Sequence, residues 1–132
     1  MRKSLTRAAA GAAAAAVATL ALAGTADAAA VPHKLHTTLS IVEWRNAIKA
    51  GQKDVVAGTL RVGKFGRHKE LIILDRLVDG RFVPVQARLT NKEGRVAFIV
   101  RPKETARYEL VFRGTNELAR THSGVVTVKV IP

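Results

Sequence analysis

The densest grouping of side chains able to do chemistry is Gly63-Lys64-Phe65-Gly66-Arg67-His68-Lys69, where four basic or titratable groups and one aromatic share a segment loosened by two glycines. Cations at this density suit the oxygens of phosphate or carboxylate groups. Lys64, Phe65, Arg67, His68 and Lys69 are therefore the candidate polyanion-binding loop, and a solvated loop without a ligand is the plain alternative.

Catalysis needs a nucleophile with a base, a pair of carboxylates, or a metal. The histidines are His33, His36, His68 and His122, and none belongs to an H-E-x-x-H array or another zinc framework. If export cleavage falls after Ala30, His33 becomes the third residue, as an amino-terminal copper chelate requires. Pro32, however, has no amide N–H to give up for it. His122 adjoins Ser123 without a G-x-S-x-G elbow around them. The acids, among them Glu70, Asp75, Asp79 and Glu93, are scattered over strand ends and turns, with no calcium-loop spacing. No glycine-rich phosphate loop opens a helix. The expectation is no catalytic residue, no metal and no cofactor.

The positions of these groups depend on where the folded chain begins. Arg2, Lys3 and Arg7 precede an uncharged, alanine-rich run over Ala8 to Ala23, and Ala26-Asp27-Ala28 follows with small residues around a cleavage point. This pattern predicts a secretory signal peptide over residues 1–28, cut after Ala28 or, as second choice, after Ala30. A membrane anchor would need about 20 apolar residues, more than this run supplies. Removal of 28 of the 132 residues leaves 104, the size of one domain. There is no cysteine to staple it, so a core must hold it. The remaining chain has 19 basic side chains against 9 acidic ones, a net charge of +10 with histidine neutral. That balance favours polyanions in general and says nothing of fold.

Residues 29–37 contain Pro32 and show no periodicity, which predicts a flexible leader. The domain is expected over residues 38–132. Period-two alternation, β-branched content and turn signals predict strands at Thr38–Glu43, Asp54–Val62, Glu70–Val78, Arg81–Leu89, Arg95–Arg101, Arg107–Arg113 and Ser123–Ile131. Between the first two, Trp44 to Ala50 reads as a loop with the tryptophan tucked in. Gly58 marks a bulge or a close backbone approach. Asp79-Gly80 fits a tight hairpin turn, and Asn91-Lys92-Glu93-Gly94 a second turn. Pro84 confines its strand to an edge or a break. The core includes Phe98, Tyr108 and Phe112, leaving Trp44, Phe65 and Phe82 for any surface, too few for a stacking platform. Arg107 and Arg113 flank Glu109 on an outward face, with Lys129 expected as a cross-strand neighbour.

Seven strands with regular turn signals predict an all-β, antiparallel sandwich, with a small barrel as the alternative. The order of Ala50-Gly51, Gly58-Thr59-Leu60, Asp79-Gly80-Arg81-Phe82, Gly94 before Val96-Ala97-Phe98, Tyr108 to Gly114, Ser123 and Val126-Thr127-Val128 resembles the bacterial immunoglobulin-like domains of exported proteins. The resemblance spans roughly Leu39 to Val130. It implies a seven-stranded immunoglobulin-like Greek-key sandwich, in which Tyr108 looks like the tyrosine of a structural corner. An inter-sheet cysteine pair is missing, and Trp44 lies too early for the tryptophan of antibody-type domains. The family serves as spacer, adhesion module or carbohydrate-binding accessory, so function has to come from a site.

The resulting expectation is a secreted, non-catalytic module that meets an anionic envelope polymer or an extracellular protein through basic loops, with no specific nucleic acid as partner. No transmembrane segment is expected once the signal is removed. A self-associating structural protein and an inhibitor of, or accessory to, an extracellular enzyme are the alternatives.

Overall fold

The computed structural model describes residues 33–132; the predicted signal peptide and the first part of the leader lie outside them. The described elements are all strands: β1 (Thr38–Leu39), β2 (Val42–Glu43), β3 (Ala47–Lys49), β4 (Asp54–Val62), β5 (Phe65–Gly66), β6 (Leu71–Val78), β7 (Arg81–Leu89), β8 (Arg95–Val100), β9 (Ala106–Phe112) and β10 (Thr121–Ile131). No helix among the described residues is long and apolar enough to cross a membrane.

Alternation decides which face each strand buries. Along β8, Val96, Phe98 and Val100 point inward, while Arg95, Ala97 and Ile99 are exposed. Along β9, Ala106, Tyr108, Leu110 and Phe112 are buried. These strands follow each other in sequence but belong to different sheets. β8 pairs with β4, which also pairs with β1, β2 and β5. The second sheet runs β3-β10-β9-β6-β7. The apolar faces of the two sheets meet in one core, with Val56, Leu60, Ile72, Leu74, Phe98 and Leu110 wholly enclosed. Two sheets facing one core make a sandwich-type all-β architecture rather than a barrel.

Turn chemistry works as expected at two places. Asp79 and Gly80 both adopt positive φ, 52° and 81°, and join β6 to β7 with Val78 opposite Arg81. This is the geometry whose twist matches a hairpin. Asn91 Oδ1 accepts from the amides of Glu93 and Arg95, closing the turn before β8. The Pro84 strand does lie at a sheet edge. Its register shifts where Leu74 faces Gln86 but Asp75 faces Pro84, so Val85 is the extra residue of a bulge. From β7, Gln86 Nε2 donates to Ile99 O at 2.8 Å and Arg88 Nη1 to Ala97 O at 3.2 Å. Side chains of one sheet thereby cap carbonyls along the open edge of the other.

Of the two readings of Gly58, close approach is correct. The β4–β8 register runs unbroken past it, and a Cβ there would strike Ser40 O and the Leu110 side chain.

Three expectations need correcting. Trp44 to Ala50 is not a loop around a tucked tryptophan. Ala47–Lys49 forms β3, parallel to the end of β10, and Trp44 stands 70 % exposed. The cause is a change of sheet: β2 belongs with β4, whereas β3 belongs with β10. The crossing is pinned by buried Asp54, whose Oδ1 accepts from Arg45 N at 3.0 Å and Val55 N at 2.7 Å. The sandwich is consequently not wholly antiparallel. Finally, the end of the predicted leader is bonded in place: Leu35 exchanges backbone bonds of 2.8 and 2.9 Å with Glu117 and Ala119, and Thr37 Oγ1 donates to Ala119 O. Those partners are distant in sequence, which is why composition gave no hint of them.

Candidate functional site

The loop from Gly63 to Lys69 begins as a tight reversal. Gly63 has φ 60°, and Phe65-Gly66 fold back on β4, with Val62 opposite Phe65 and Arg61 opposite Gly66. Its far end is tied to the start of the next turn. Arg67 N donates to Leu60 O, Lys69 N to Thr90 O, and Glu70 N to Thr90 Oγ1, each at 3.0 Å. The Thr90 hydroxyl also donates to Arg67 O. The backbone is therefore fixed while the side chains project.

Phe65 is 69 % exposed, and Lys64 Nζ lies 5.7 Å from its ring centroid, within cation–π range. Gly66 and Gly94 bring a second loop alongside: a Cβ on Gly66 would overlap the backbone of Glu93 and lie 2.9 Å from Gly94 N. The turn Asn91–Gly94 thus adds Lys92 to Lys64, Arg67 and Lys69 at one end of the domain. Glu70 and Glu93 are the acids of these segments. Among the described residues the one ion pair lies elsewhere, between His122 and Glu109, so none of these four cations is paired to a carboxylate. His68 is exposed, and no group of three His, Asp or Glu side chains among the described residues is placed to hold a metal.

Tyr108 departs from the corner expectation. Its ring is buried in the core, yet its hydroxyl makes no hydrogen bond with the described residues, and the residue borders a shallow cavity of about 310 Å3 with Arg76, Gln86 and Arg101. Burial pushes the phenol above its ordinary value; Arg76 opposes the rise and Asp54 adds to it. Tyr108→Phe should accordingly leave unfolding free energy within about 0.5 kcal/mol of the parent. A loss above about 1 kcal/mol in denaturant melts would restore the corner bond.

The outward charges of β9 have different neighbours from those expected. Glu109 lies opposite Val125 on one side and Asp75 on the other, while Lys129 lies opposite Ala47. Two carboxylates directly across a sheet repel. Each has a nearby cation or proton donor: Glu109 Oε2 is 3.2 Å from His122 Nδ1, and Arg113 acts on Asp75. His122 Nδ1 is also 3.0 Å from Ser123 O, so two acceptors flank it, as suits the tautomer with its N–H on Nδ1.

Burial pushes the Asp75 carboxyl above the ordinary aspartate range, with Arg113 pulling it down. The folded state then holds that proton more tightly than the unfolded chain. Asp75's contribution is full below the ordinary value of about 3.9 and is lost as pH rises through the folded value. Asp75→Asn should therefore raise the melting temperature at neutral pH, by a margin that shrinks as the pH falls below 4 or so. An unchanged or lower melting temperature at neutral pH would contradict this.

This group of Asp75, Glu109 and His122 escaped the sequence reading. Alternation alone places Asp75 and Glu109 outward on their strands, but only the β6–β9 register makes them neighbours. They border an open depression of about 360 Å3 with Arg120 and Thr121. Compared with protein-family models, curated proteins and solved structures, the chain matches none of them.

Proposed function

We propose that the protein is an exported, non-catalytic immunoglobulin-like module that binds an anionic polymer of the cell envelope through its basic end. The observation that carries this reading is the approach of Gly66 to the Glu93-Gly94 backbone. It gathers Lys64, Arg67, Lys69 and Lys92 beside exposed Phe65, on backbone already fixed by hydrogen bonds. Cations carried on an ordered backbone lose less entropy on binding than those on a mobile loop. Their attraction to a polyanion is strongly dependent on salt.

The immunoglobulin-like part of the reading is supported by the strand orders, with the first segment divided between β2 in one sheet and β3 in the other. Export is supported by the basic start, uncharged run and Ala26-Asp27-Ala28 site. Self-association through the β7 and β8 edges is disfavoured by Pro84, the Val85 bulge and the Gln86 and Arg88 caps.

The test is retention on isolated cell walls at two salt concentrations. The protein should bind at low salt and elute as salt rises, and Lys64→Glu with Arg67→Glu and Lys69→Glu should abolish retention without loss of fold. Failure to bind at either salt concentration would overturn the proposal, as would binding indifferent to the charge reversal.

A further inference from the structure

A second surface specifies the polymer more closely. On the outward face of the β1-β2-β4-β8 sheet, a trough of about 380 Å3 opens beside Trp44, the chain's one tryptophan. That volume lies within the range of small-ligand sites. Backbone pairing places Trp44 there: Trp44 N donates to Val55 O at 3.0 Å, and Val42 two residues earlier lies opposite Ala57. Ala57 and Ala97 face each other across β4 and β8 and keep the floor low between taller neighbours.

The rim has a definite polarity. Ser40 Oγ already accepts from Thr59 N, which leaves its O–H to donate. Asn91 Oδ1 is occupied by two backbone amides, which leaves its NH2 to donate. Arg95, exposed and without an ion-pair partner among the described residues, closes the same trough. With the Thr59 hydroxyl, four side-chain donors and one aromatic face line it, and no carboxylate does. The complement of such a rim is a flat, oxygen-rich, negatively charged ligand with one apolar face.

We infer that the trough is a saccharide subsite: one pyranose ring of an acidic polysaccharide lies over Trp44 while its carboxylate and hydroxyl oxygens accept from Arg95, Asn91 and Ser40. A sugar ring offers axial C–H groups to an aromatic face and oxygens around its edge. A nucleic acid is less well matched, because successive stacked bases need successive aromatics and the trough has one. This inference rests on the anionic-polymer reading. It assigns that polymer's chemical class: a chain of uronic-acid-type sugars running from the trough toward the basic end, which the Asn91–Gly94 turn joins to Arg95.

The single tryptophan makes the test specific. The full chain freed of its signal is titrated with oligogalacturonate, polyglutamate, a neutral dextran and single-stranded DNA, following Trp44 emission and, separately, heat of binding. Oligogalacturonate should change the emission saturably. Trp44→Ala and Arg95→Gln should each weaken its binding about tenfold or more, and Trp44→Phe should keep part of the affinity. Polyglutamate should bind in a salt-dependent way without changing the emission, and neutral dextran should not bind. If both acidic polymers bind but emission and the Trp44 and Arg95 variants are indifferent, the subsite is wrong and the basic-end reading stands. If no anionic polymer binds at low salt, both fall. A stronger emission change with DNA than with the saccharide would overturn the ligand class. Circular dichroism of each variant separates lost binding from lost fold.

Discussion

Gly66→Ala should destabilise the domain by about 3 kcal/mol, the upper part of the range for overpacking, and should weaken wall retention as well. The new methyl would fall on the carbonyl of Glu93, with Gly94 N only 2.9 Å away. All of these are backbone atoms, so no side chain can rotate to relieve the contact. The turn cannot simply slide, because Gly94 has φ 80° and itself sits against Leu60 O and Arg67 N. Relief requires the two loops to separate, which pulls Lys92 away from Lys64 and Arg67. Gly63→Ala is the control: nothing lies within 4 Å of its Cβ, and its positive φ should cost only about 1–2 kcal/mol. Denaturant melts of both variants, with wall retention measured alongside, decide the matter. Equal losses for the two would mean that the contact between loops contributes nothing beyond backbone strain.

Phe98→Ala should cost about 3–5 kcal/mol, a large part of the 5–15 kcal/mol typical of a whole domain. Phe98 is wholly buried near the middle of β8, opposite Val56. Removing its ring leaves a cavity between two sheets whose hydrogen-bonded backbones cannot easily collapse into it. Ile99, the next residue, is 49 % exposed on the other face, and Ile99→Ala should stay within about 0.5 kcal/mol. The contrast tests the alternation itself. Comparable losses at positions 98 and 99 would mean that β8 does not bury one face against the core.

Much of this architecture was legible because strands and turns are written in nearby residues. The alternation in β8 and β9 needs only period two, Asp79-Gly80 needs only its two positive φ values, and Pro84 marks its edge by the N–H it lacks. Contacts between distant residues were not legible. Leu35 pairing beside Leu118, Asp75 facing Glu109, and Gly66 resting on Gly94 each depend on a register that no local pattern contains. Trp44 shows the same limit in reverse. Its size suggests burial, but the crossing from β2 to β3 leaves it on the outward face, where the pairing of Val42 with Ala57 places it over small residues. The basic loop could be found from composition, whereas Lys92 joined it only through packing.

The parallel run of the first segment beside the last has a mechanical consequence. Leu35 lies beside Leu118, and further along Ala47–Lys49 pair with Lys129–Ile131, so the first segment meets the last at two separate places, with β1 and β2 paired to β4 between them. The 11 residues of β10 span about 35 Å. Leu35 and Ile131 therefore stand at opposite poles, and a pull between them loads the backbone bonds at those two places together, in shear, rather than peeling them one by one. The Lys69–Leu71 segment borders Phe112–Thr115, at the Leu35 pole. A label or cargo joined after Pro132 would hang from the far pole and leave the basic loop clear. One joined close before Leu35 would crowd it.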